Sequence, residues 1–431
     1  MAGQNGRRVA VIAGCRTPFA KSGTVFKDLS AVDLARLATR ELLVRTEVAP
    51  ADVDQVVFGQ VVPSVLVPNV AREVSLLPQF PRTIPAFSLN RACSSSNQAI
   101  AIAHDQIVLG QADVVVAGGT ESLSEIPILH SRRFADLLVQ ASRAKSLGQR
   151  LRTLARTRPR DLVPVTPAIA EPSTGETMGQ SAEKMAKENG ITREAQDAYA
   201  LRSHQLAAAG TADGRLTAEI VPVFVPPAYD TVVTADNGIR ADSTLDQLTA
   251  LKPVFDRRYG SVTAANASPL TDGASAVLLM SDEAARASGC EPLAYVRSYA
   301  VAAVDPGEQL LMGPAFAVPQ ALERAGIAWR DLGLVEMHEA FAAQVLSNIQ
   351  AFESEMWARD HLGRDERVGE VDWDTLNVMG GSIAIGHPFG ATGGRITITL
   401  ANEMVRRDVQ FGLISVCAQG GMGFAMVLER T

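Results

Sequence analysis

The chain contains two similar runs of alternating strands and helices, and this duplication limits its possible folds more than any other feature. Residues 52–56 follow a leucine-rich helix, and residues 331–335 follow a helix of the same kind 279 residues later. Each run ends in an apolar strand, 274–280 in the first and 424–428 in the second. Parallel or mixed sheets with helices on both faces show this alternation. We therefore predict an α/β protein built from two copies of one unit.

The stretch between the two copies, residues 125–255, follows a different pattern. It begins with a basic helical passage, continues through a proline-rich passage, and includes one predicted helix over 181–209. Such a segment between repeats is typical of an inserted loop domain. The predicted domains are therefore a first half at 1–124 and 256–285, an insert at 125–255, and a second half at 286–431.

Composition excludes several classes of protein. The 431 residues are 47% hydrophobic and 20% charged, with a net charge of −7, which disfavours general electrostatic binding of nucleic acid. There is no apolar run of the roughly 18–20 residues that a membrane helix needs, and the polar start does not resemble a secretory signal. The four scattered cysteines predict neither a disulfide framework nor a metal site, so we expect a cytoplasmic protein.

Cys93 is the first candidate for chemistry, because it lies where the predicted strand 85–89 leads into the predicted helix 94–109. Backbone N–H groups and the helix dipole at such a position lower the pKa of a thiol and favour the nucleophilic thiolate. The alternative is a small, buried, inert side chain, since cysteine often packs as a hydrophobic residue.

His387 lies in the glycine-rich passage 377–394, between Gly386 and Pro388. This placement would hold a general base in a fixed position. The passage has neither the spacing of a dinucleotide fingerprint nor that of a phosphate-binding loop. The alternative for His387 is a structural side chain.

Cys417 and His338 each end a strongly apolar strand, and the carboxyl edge of a sheet is where α/β active sites form. They would meet Cys93 and His387 only if the two halves face one another. Ser268, in residues 263–273, is a further candidate, although by itself that segment is only a polar loop.

Taken together, these segments resemble the thiolase family over essentially the whole chain. The matching motifs are Ala92 to Ser95, Gly118 to Ser122, Thr263 to Ser268, Glu339 to Gln344, Gly380 to Pro388, and Cys417 with the following Gly-Gly-Met-Gly. Within the family, the likeness is greatest to the 3-ketoacyl-CoA thiolases that form the β subunit of trifunctional-type fatty-acid β-oxidation complexes. The resemblance implies the thiolase fold: two βαβαβαββ halves in five layers, α-β-α-β-α, with a loop domain inserted in the first half.

The resemblance also implies catalytic roles. His387 takes the proton of Cys93, which attacks the ketone of a 3-ketoacyl-CoA, and Cys417 protonates the acetyl-CoA carbanion that leaves. One oxyanion hole would use His387 and a water held by His338. The other would use the backbone N–H groups of Cys93 and Gln419.

Coenzyme A is implied as a substrate, with no permanently bound cofactor and no metal. The implied contacts are Ser268 to the pantetheine, Arg240 near the adenine or phosphate end, and Met178, Phe255 and Phe341 as apolar walls. The sequence departs from many thiolases at three places: His338 replaces Asn, Thr177 replaces His, and Gln419 replaces Gly. One pantetheine contact is therefore in doubt.

Three alternatives stay open at this point. A ketoacyl synthase shares the fold but pairs its cysteine with two histidines, or with His and Asn, and has no use for an acid such as Cys417. A biosynthetic acetoacetyl-CoA thiolase would use the same residues in the opposite direction. A noncatalytic lipid carrier or scaffold would keep the fold without activity, and this is disfavoured because all four catalytic positions are filled.

The resemblance also implies partners: a second copy of the chain in a homodimer or larger assembly, and an α subunit with hydratase and dehydrogenase activities. Residues 131–160 add a local prediction, since they hold nine Lys or Arg and one acid. Their apolar spacing predicts two amphipathic helices broken near Gly148. The alternatives are packing on the protein's own body, docking on an anionic membrane surface, or binding of the α subunit.

Overall fold

The computed structural model of the protein describes residues 6–164 and 170–430. These residues form two compact units. The larger unit comprises residues 6–125 and 171–430, and the smaller comprises the described residues from 126 to 170. The smaller unit is therefore narrower than the predicted insert of 125–255, whose second part packs within the larger unit. The other predicted domain boundaries stay predictions.

The first half of the larger unit contains strands and helices in the predicted alternation. In chain order they are β1 (Val9–Arg16), β2 (Ala20–Lys21), α1 (Ala31–Thr46), β3 (Gln55–Gly59), α2 (Val70–Ser75), β4 (Ala86–Leu89), α3 (Ser95–Val108) and β5 (Val114–Glu121). The smaller unit follows with α4 (Arg132–Ser142) and α5 (Leu147–Leu154). The chain then continues through α6 (Met178–Glu188), α7 (Arg193–Ala212), β6 (Val223–Phe224), β7 (Val232–Val233), α8 (Leu245–Thr249) and β8 (Thr271–Ser281).

The second half repeats this order. Its elements are α9 (Asp282–Ala287), β9 (Ala294–Ala303), α10 (Gly313–Ala325), β10 (Leu334–Met337), α11 (Ala342–Glu353), α12 (Glu355–Trp357), α13 (Ser382–Ile385), α14 (Thr392–Arg407), β11 (Phe411–Ala418) and β12 (Met422–Glu429).

The strand order shows the duplication directly. In the first half the order is β4-β3-β5-β8-β1, and in the second it is β10-β11-β12-β9, with matching parallel and antiparallel pairs. The second-half counterpart of β4 is reduced to a single parallel bridge between Val335 and Leu376. The halves meet where β1 pairs with β9 through Ala10–Tyr295 and Val11–Ala294.

Helices cover the sheet in layers. One core lies between the first-half strands and α1 and α2, and another lies between the second-half strands and α10 and α11. The third core joins α3 and α14 to strands of both halves, so these two helices form the middle layer. The five-layered thiolase arrangement predicted from the resemblance is thereby confirmed.

Two predicted helices differ from the structure. The single helix predicted over 181–209 is wrong, because α6 ends at Glu188 and Gly190 takes a left-handed conformation with φ of +65° before α7 begins. Glycine has no Cβ to oppose this conformation. The two helices predicted within residues 131–160 are confirmed, but the break between them falls at residues 143–146, just before Gly148, which lies inside α5.

The smaller unit is a basic helical hairpin. Leu137 and Ala141 of α4 are buried, whereas α5 buries no residue fully. Leu147 and Leu151 on α5 are 70% and 59% exposed. Arg150 Nε donates to the carbonyl oxygen of Ala141 at 3.2 Å, which ties the two helices together. Among the described residues, no helix combines the length and the apolar character needed to span a bilayer.

Candidate active site

The candidate catalytic side chains follow the carboxyl ends of strands in both halves. Cys93 lies between β4 and α3, His338 directly follows β10, and Cys417 is the second-last residue of β11. His387 lies in the loop between α13 and α14. Active sites of α/β sheets form at this edge, and the middle helices α3 and α14 bring the two halves together there.

Three of the four candidates form one cluster. Ligand atoms of Cys93, His338 and His387 all lie within 4.8 Å of one another. The two imidazole rings are tilted by 48°, with centroids 4.1 Å apart. The structure therefore brings together residues that are separated by almost 300 positions in the chain.

A tight turn presents the thiol of Cys93. The preceding Ala92 has φ of +45°, which is uncommon for a residue other than glycine. Its N–H donates to Asn90 Oδ1 at 2.9 Å, and Ser95 Oγ donates to its carbonyl oxygen at 2.6 Å. These bonds hold a backbone conformation that costs about 1–3 kcal/mol, a cost commonly found at functional sites.

The pKa of Cys93 contradicts the prediction from its helix position. Burial raises the pKa of this thiol to about 12, although the backbone N–H groups of Gln419 and of Cys93 itself act in the opposite direction. The helix α3 begins only at Ser95, two residues later. Desolvation therefore outweighs the helix terminus and the N–H groups, and the resting side chain is a neutral thiol.

His387 is held as a neutral base. Burial, with a smaller effect of the Arg395 charge, lowers its pKa to about 3. Thr392 Oγ1 donates to the carbonyl oxygen of Pro388 at 3.1 Å, so it accepts from His387 Nδ1 at 2.6 Å. The remaining nitrogen, Nε2, is buried and has no hydrogen-bond partner among the described residues, and it therefore carries a lone pair ready for a proton.

His338 is completely buried beside it. Burial lowers the pKa of His338 well below its ordinary value, with added effects of His387 and Arg395. Its Nδ1 lies 3.0 Å from Ser382 Oγ, and its Nε2 has no partner among the described residues. The site thus contains two neutral imidazoles, each with Nε2 free to act.

Cys417 is suited to act as an acid. Its side chain is 1% exposed, and burial raises its pKa well above the ordinary value, followed by the effect of the nearby Cys93. Such a thiol stays protonated and gives its proton only to a strong base, such as a carbanion. Burial raises the pKa of both cysteines, so their positions rather than their pKa values separate their roles, and Cys93 is the one grouped with His338 and His387.

The backbone donors expected in the second oxyanion hole lie against the reactive sulfur. The N–H groups of Cys93 and Gln419 both hydrogen-bond the Cys93 thiol. Only the backbone of Gln419 takes part, so the replacement of glycine by glutamine at this position leaves the donor in place. An oxygen bound to an acyl carbon on this sulfur would lie close to both groups.

The expected apolar contacts for CoA form one wall. The rings of Phe255 and Phe341 meet edge to face, with centroids 6.2 Å apart, and Met178 belongs to the same partly buried surface. Ser268 lies beside this wall, where its N–H donates to the carbonyl oxygen of Ala340 at 2.9 Å. Its side chain is partly exposed.

Arg240 lines a separate cavity of about 630 Å³ next to this wall. Pro269, which follows Ser268, contributes to the same cavity, as does Lys21. Burial, followed by the charge of Arg240, lowers the pKa of Lys21, and both side chains line this cavity. Two cations in a cavity of this size form a suitable site for phosphate groups.

Several buried polar residues of the site were not recognised as functional from the sequence. Glu339, inside a quoted motif, accepts from Tyr199 at 3.0 Å, from Ser203 at 2.7 Å and from Asn377 at 2.8 Å. Glu121 accepts from the N–H groups of Val61, Val62 and Gly390. Both glutamates lie in the family motifs, and this was the sequence feature that could have identified them. Their hydrogen-bond partners lie in distant segments of the chain, which the sequence does not reveal.

The cluster of Cys93, His338 and His387 also has the donor types that zinc prefers. The cluster offers three donors, and its thiol is neutral. The absence of a metal, expected from the sequence, stays a prediction.

Without a metal, the same atoms can supply a nucleophile, a base and a hydrogen-bond donor. With the acid Cys417, they define a class: an α/β enzyme that transfers acyl groups through a cysteine thioester.

Comparisons with known proteins agree with this class. The family descriptions "Thiolase, N-terminal domain" and "Thiolase, C-terminal domain" match residues 9–283 and 290–430. The 3-ketoacyl-CoA thiolase of Aeromonas salmonicida (strain A449) is 52% identical over 99% of this chain and 98% of its own length. That of Yersinia enterocolitica is 49% identical, with the same coverage.

Solved structures extend the likeness to the fold. An acetyl-CoA acetyltransferase of Bacillus anthracis has a TM-score of 0.84 and 36% identity, covering 98% of both chains. Human mitochondrial 3-ketoacyl-CoA thiolase has a TM-score of 0.82 and 33% identity, covering 99% of both chains, and its complex with CoA matches similarly. The chain belongs to the thiolase family and is an acyltransferase that uses coenzyme A as a substrate.

Proposed function

We propose that the chain is a 3-ketoacyl-CoA thiolase that cleaves 3-ketoacyl-CoA with CoA, giving acetyl-CoA and an acyl-CoA two carbons shorter. The observation that carries this proposal is the cluster of Cys93, His387 and His338 beside the buried acid Cys417. Relatives about half identical over nearly the whole chain bear the same name.

The first half-reaction begins with two neutral groups. As Cys93 Sγ attacks the ketone carbon of the substrate, its proton passes to His387 Nε2, which has a lone pair and no other partner among the described residues. The bond between the second and third carbons then breaks, its electron pair stays with the acetyl-CoA fragment, and the Cys417 thiol protonates that carbanion. The products are acetyl-CoA and an acyl thioester on Cys93. Net transfer of the proton held by His387 to the Cys417 thiolate then restores the neutral imidazole and the neutral thiol.

In the second half-reaction a CoA thiol takes the place of acetyl-CoA. His387 accepts its proton, the CoA thiolate attacks the acyl carbon, and the bond between that carbon and Cys93 Sγ breaks. The Cys93 thiolate then regains a proton from His387. The N–H groups of Cys93 and Gln419 stabilise the oxyanion on the acyl carbon. A donor from the His338 side stabilises the enolate oxygen of acetyl-CoA.

The substrate's CoA part fits the two surfaces beside the cluster. The wall of Met178, Phe255 and Phe341 would hold the apolar part of the pantetheine, with Ser268 as its polar contact. Arg240 in the neighbouring cavity would face the phosphate end. Thr177 is the N-cap residue of α6, so its hydroxyl is engaged with Gln180 rather than free as a pantetheine contact.

The decisive experiment compares substrates. Thiolysis of acetoacetyl-CoA and of longer 3-ketoacyl-CoA esters is followed by the absorbance of the magnesium enolate. Faster cleavage of the longer substrates supports the degradative assignment. Activity confined to acetoacetyl-CoA favours the alternative biosynthetic acetoacetyl-CoA thiolase. The absence of activity on all of them favours the noncatalytic alternative.

We also propose a role in fatty-acid β-oxidation in the cytoplasm, as a homodimer or larger assembly bound to an α subunit with hydratase and dehydrogenase activities. The edge strand β4 supports self-association, because it pairs only with β3 among the described residues and leads directly to Cys93. Sedimentation should give a species at least twice the 45.7 kDa chain mass. An active monomer would contradict this proposal.

For the basic hairpin of the smaller unit we propose docking on an anionic membrane surface. Its exposed leucines supply apolar contact, and each basic residue near anionic lipid contributes about 1 kcal/mol. Co-sedimentation with anionic vesicles should fall as salt rises, and should be lost when Arg152, Arg156, Arg158 and Arg160 are replaced by Gln. Binding that ignores lipid charge would leave docking on the α subunit, or packing on the protein itself.

A further inference from the structure

Two hydroxyl groups contact the Nδ1 atoms of the two active-site histidines, and they differ in where their own protons go. Thr392 Oγ1 gives its proton to the carbonyl oxygen of Pro388, so it accepts from His387 Nδ1–H. Ser382 Oγ accepts a proton from Arg395 Nη2 at 3.0 Å. In the described part of the chain, its own proton then has one acceptor at hydrogen-bond distance, His338 Nδ1.

Arg395 makes this arrangement one-directional. A guanidinium donates and never accepts, so Ser382 Oγ cannot direct its proton back toward Arg395. Arg395 is completely buried in the first turn of α14, with Nη1 at 3.8 Å from Glu336 Oε2. Ser382 is also fully buried, at the start of α13. Neither side chain has room to turn to solvent for another partner.

We propose that Arg395 and Ser382 are positioning residues that hold His338 as the Nε2–H tautomer, opposite to His387, whose proton is on Nδ1. The site then presents one imidazole as a proton acceptor and, with its ring centroid 4.1 Å away, a second imidazole as a hydrogen-bond donor. Two neighbouring imidazoles thus have different roles. Thr392 sets the tautomer of His387, and Ser382 with Arg395 sets the tautomer of His338.

The position of the proton on His338 decides whether this ring stabilises or repels a negatively charged oxygen in the cluster. With the proton on Nε2, His338 directs an N–H into the cluster, where a water or an enolate oxygen needs a donor. With the proton on Nδ1, a lone pair would face the same negative oxygen and repel it. This use of the donor rests on the proposed thiolase function, whereas the tautomer itself does not.

Both rings must also be neutral for the arrangement to hold. Burial lowers the pKa of each histidine, and the positive charge of Arg395 acts on both in the same direction. Arg395 therefore has two effects: it directs the serine proton toward His338, and it opposes protonation of either ring.

The direct test is nitrogen NMR of the native protein with only its histidines labelled. The chain has six histidines, and His338→Asn assigns the signal of interest. We expect a protonated Nε2 and a lone-pair Nδ1 for His338, and the reverse for His387. A lone-pair Nε2 on His338, or the same tautomer on both rings, would overturn the proposal. This measurement needs no substrate, so its result is independent of the proposed function.

Kinetics provide the second test. Ser382→Ala leaves His338 free to take either tautomer, and we expect kcat to fall about 10- to 100-fold, with KM changed less than about 3-fold. Ser382→Thr keeps the hydroxyl and should restore most of kcat. Ser347→Ala is the matched control, because it removes another buried hydroxyl, on α11, that has no partner among the described residues.

The outcomes separate the two proposals. If Ser382→Ala keeps the native kcat and the native His338 tautomer, Ser382 does not position the ring. If Ser382→Ala does not fold, the native NMR spectrum and Ser382→Thr decide. If the expected tautomers are found but no 3-ketoacyl-CoA is cleaved, the proposed function fails and the positioning role stands.

Discussion

The two halves share one strand order, yet they place different chemistry at corresponding points. In the first half, Cys93, the proposed nucleophile, follows strand β4. In the second half the corresponding strand is a single bridge at Leu376, and a loop that carries His387 follows it. Elsewhere in the second half, His338 directly follows β10, and Cys417 is the second-last residue of β11. In the proposed reaction one copy therefore supplies the nucleophile, and the other supplies the groups that accept and donate protons.

The shortened strand has a local cause. Asn377 and Gly380, which follow Leu376, take left-handed conformations with φ of +45° and +67°, and Gly386 has φ of +116°. A strand cannot continue through such residues, and only glycine adopts them at little cost. The chain released from the sheet in this way becomes the loop that fixes His387.

Close packing between α3 and α14 brings Cys93 of the first half together with the histidines of the second half. Asn97 Nδ2 donates to the carbonyl oxygen of Gly393, and the N–H of Gly394 donates to Ser96 Oγ. A Cβ on Gly393 would lie 2.0 Å from Asn97 Oδ1, so this contact requires glycine. The comparison teaches that a duplicated scaffold can divide one reaction between its copies if their middle helices pack closely.

The largest expected effect tests the first half's role. Cys93→Ala should abolish acyl-enzyme formation and lower thiolysis at least about 10⁴-fold, because Cys93 supplies the thiol of the described cluster. Mass spectrometry after incubation with an acyl-CoA should give an adduct on the Cys93 peptide of the native protein only. An adduct on Cys417 would reverse the two roles.

The next effect tests the second half's acid. Cys417→Ala should reduce carbon–carbon cleavage about 10³-fold, since that step needs protonation of a carbanion. Acylation of Cys93 by a simple acyl-CoA should persist, because it needs no such proton. Cys15→Ala is the matched control, a buried thiol in the core under α1. Equal loss of both half-reactions would contradict the division between the cysteines.

The pH dependence of alkylation tests whether the nucleophile rests as a neutral thiol. A pKa of about 12 leaves about 10³-fold less thiolate at pH 8 than a pKa of 9. The greater nucleophilicity of a more basic thiolate offsets part of this, so alkylation should be about 50-fold slower than for a free thiol. The rate should rise steadily from pH 7 to 10. A plateau near neutral pH would instead indicate a thiolate–imidazolium pair.

The smallest effect concerns the contact between halves at Glu121. Glu121→Ala leaves the N–H groups of Val61, Val62 and Gly390 without their acceptor, and should lower the free energy of unfolding by about 2–3 kcal/mol. Chemical denaturation measures this loss. Glu121→Gln keeps an acceptor oxygen and should lose less.

The Glu121 carboxyl also makes the stability of the protein depend on pH. Burial raises the pKa of Glu121 to about 7, so between pH 4.5 and 7 the folded state binds more protons here than the unfolded state. Its contribution to stability therefore falls as pH rises through this range. Glu121→Gln should remove this part of the slope, and an unchanged slope would contradict the raised pKa.

Much of the fold could be predicted from the sequence, and so could the candidate residues Cys93, His338 and His387 that the structure brings together. The repeat gave the order of strands and helices, because hydrophobic periodicity is local. The motifs around Cys93, His387 and Cys417 indicated the chemistry, since residue type and neighbouring glycines are visible in the chain itself. Local signals were insufficient at the helix break near Gly190.

Only the tertiary structure decided the state of the reactive groups. A helix terminus predicts a low thiol pKa, yet the segments packed around Cys93 bury it and raise its pKa to about 12. Desolvation depends on every atom nearby, and here those atoms include residues of the second half. The proton positions on His338 and His387 likewise depend on Ser382 and Thr392, whose orientations no sequence pattern specifies. The sequence by itself determined which groups are candidates for the reaction, and folding determined which of them holds a proton.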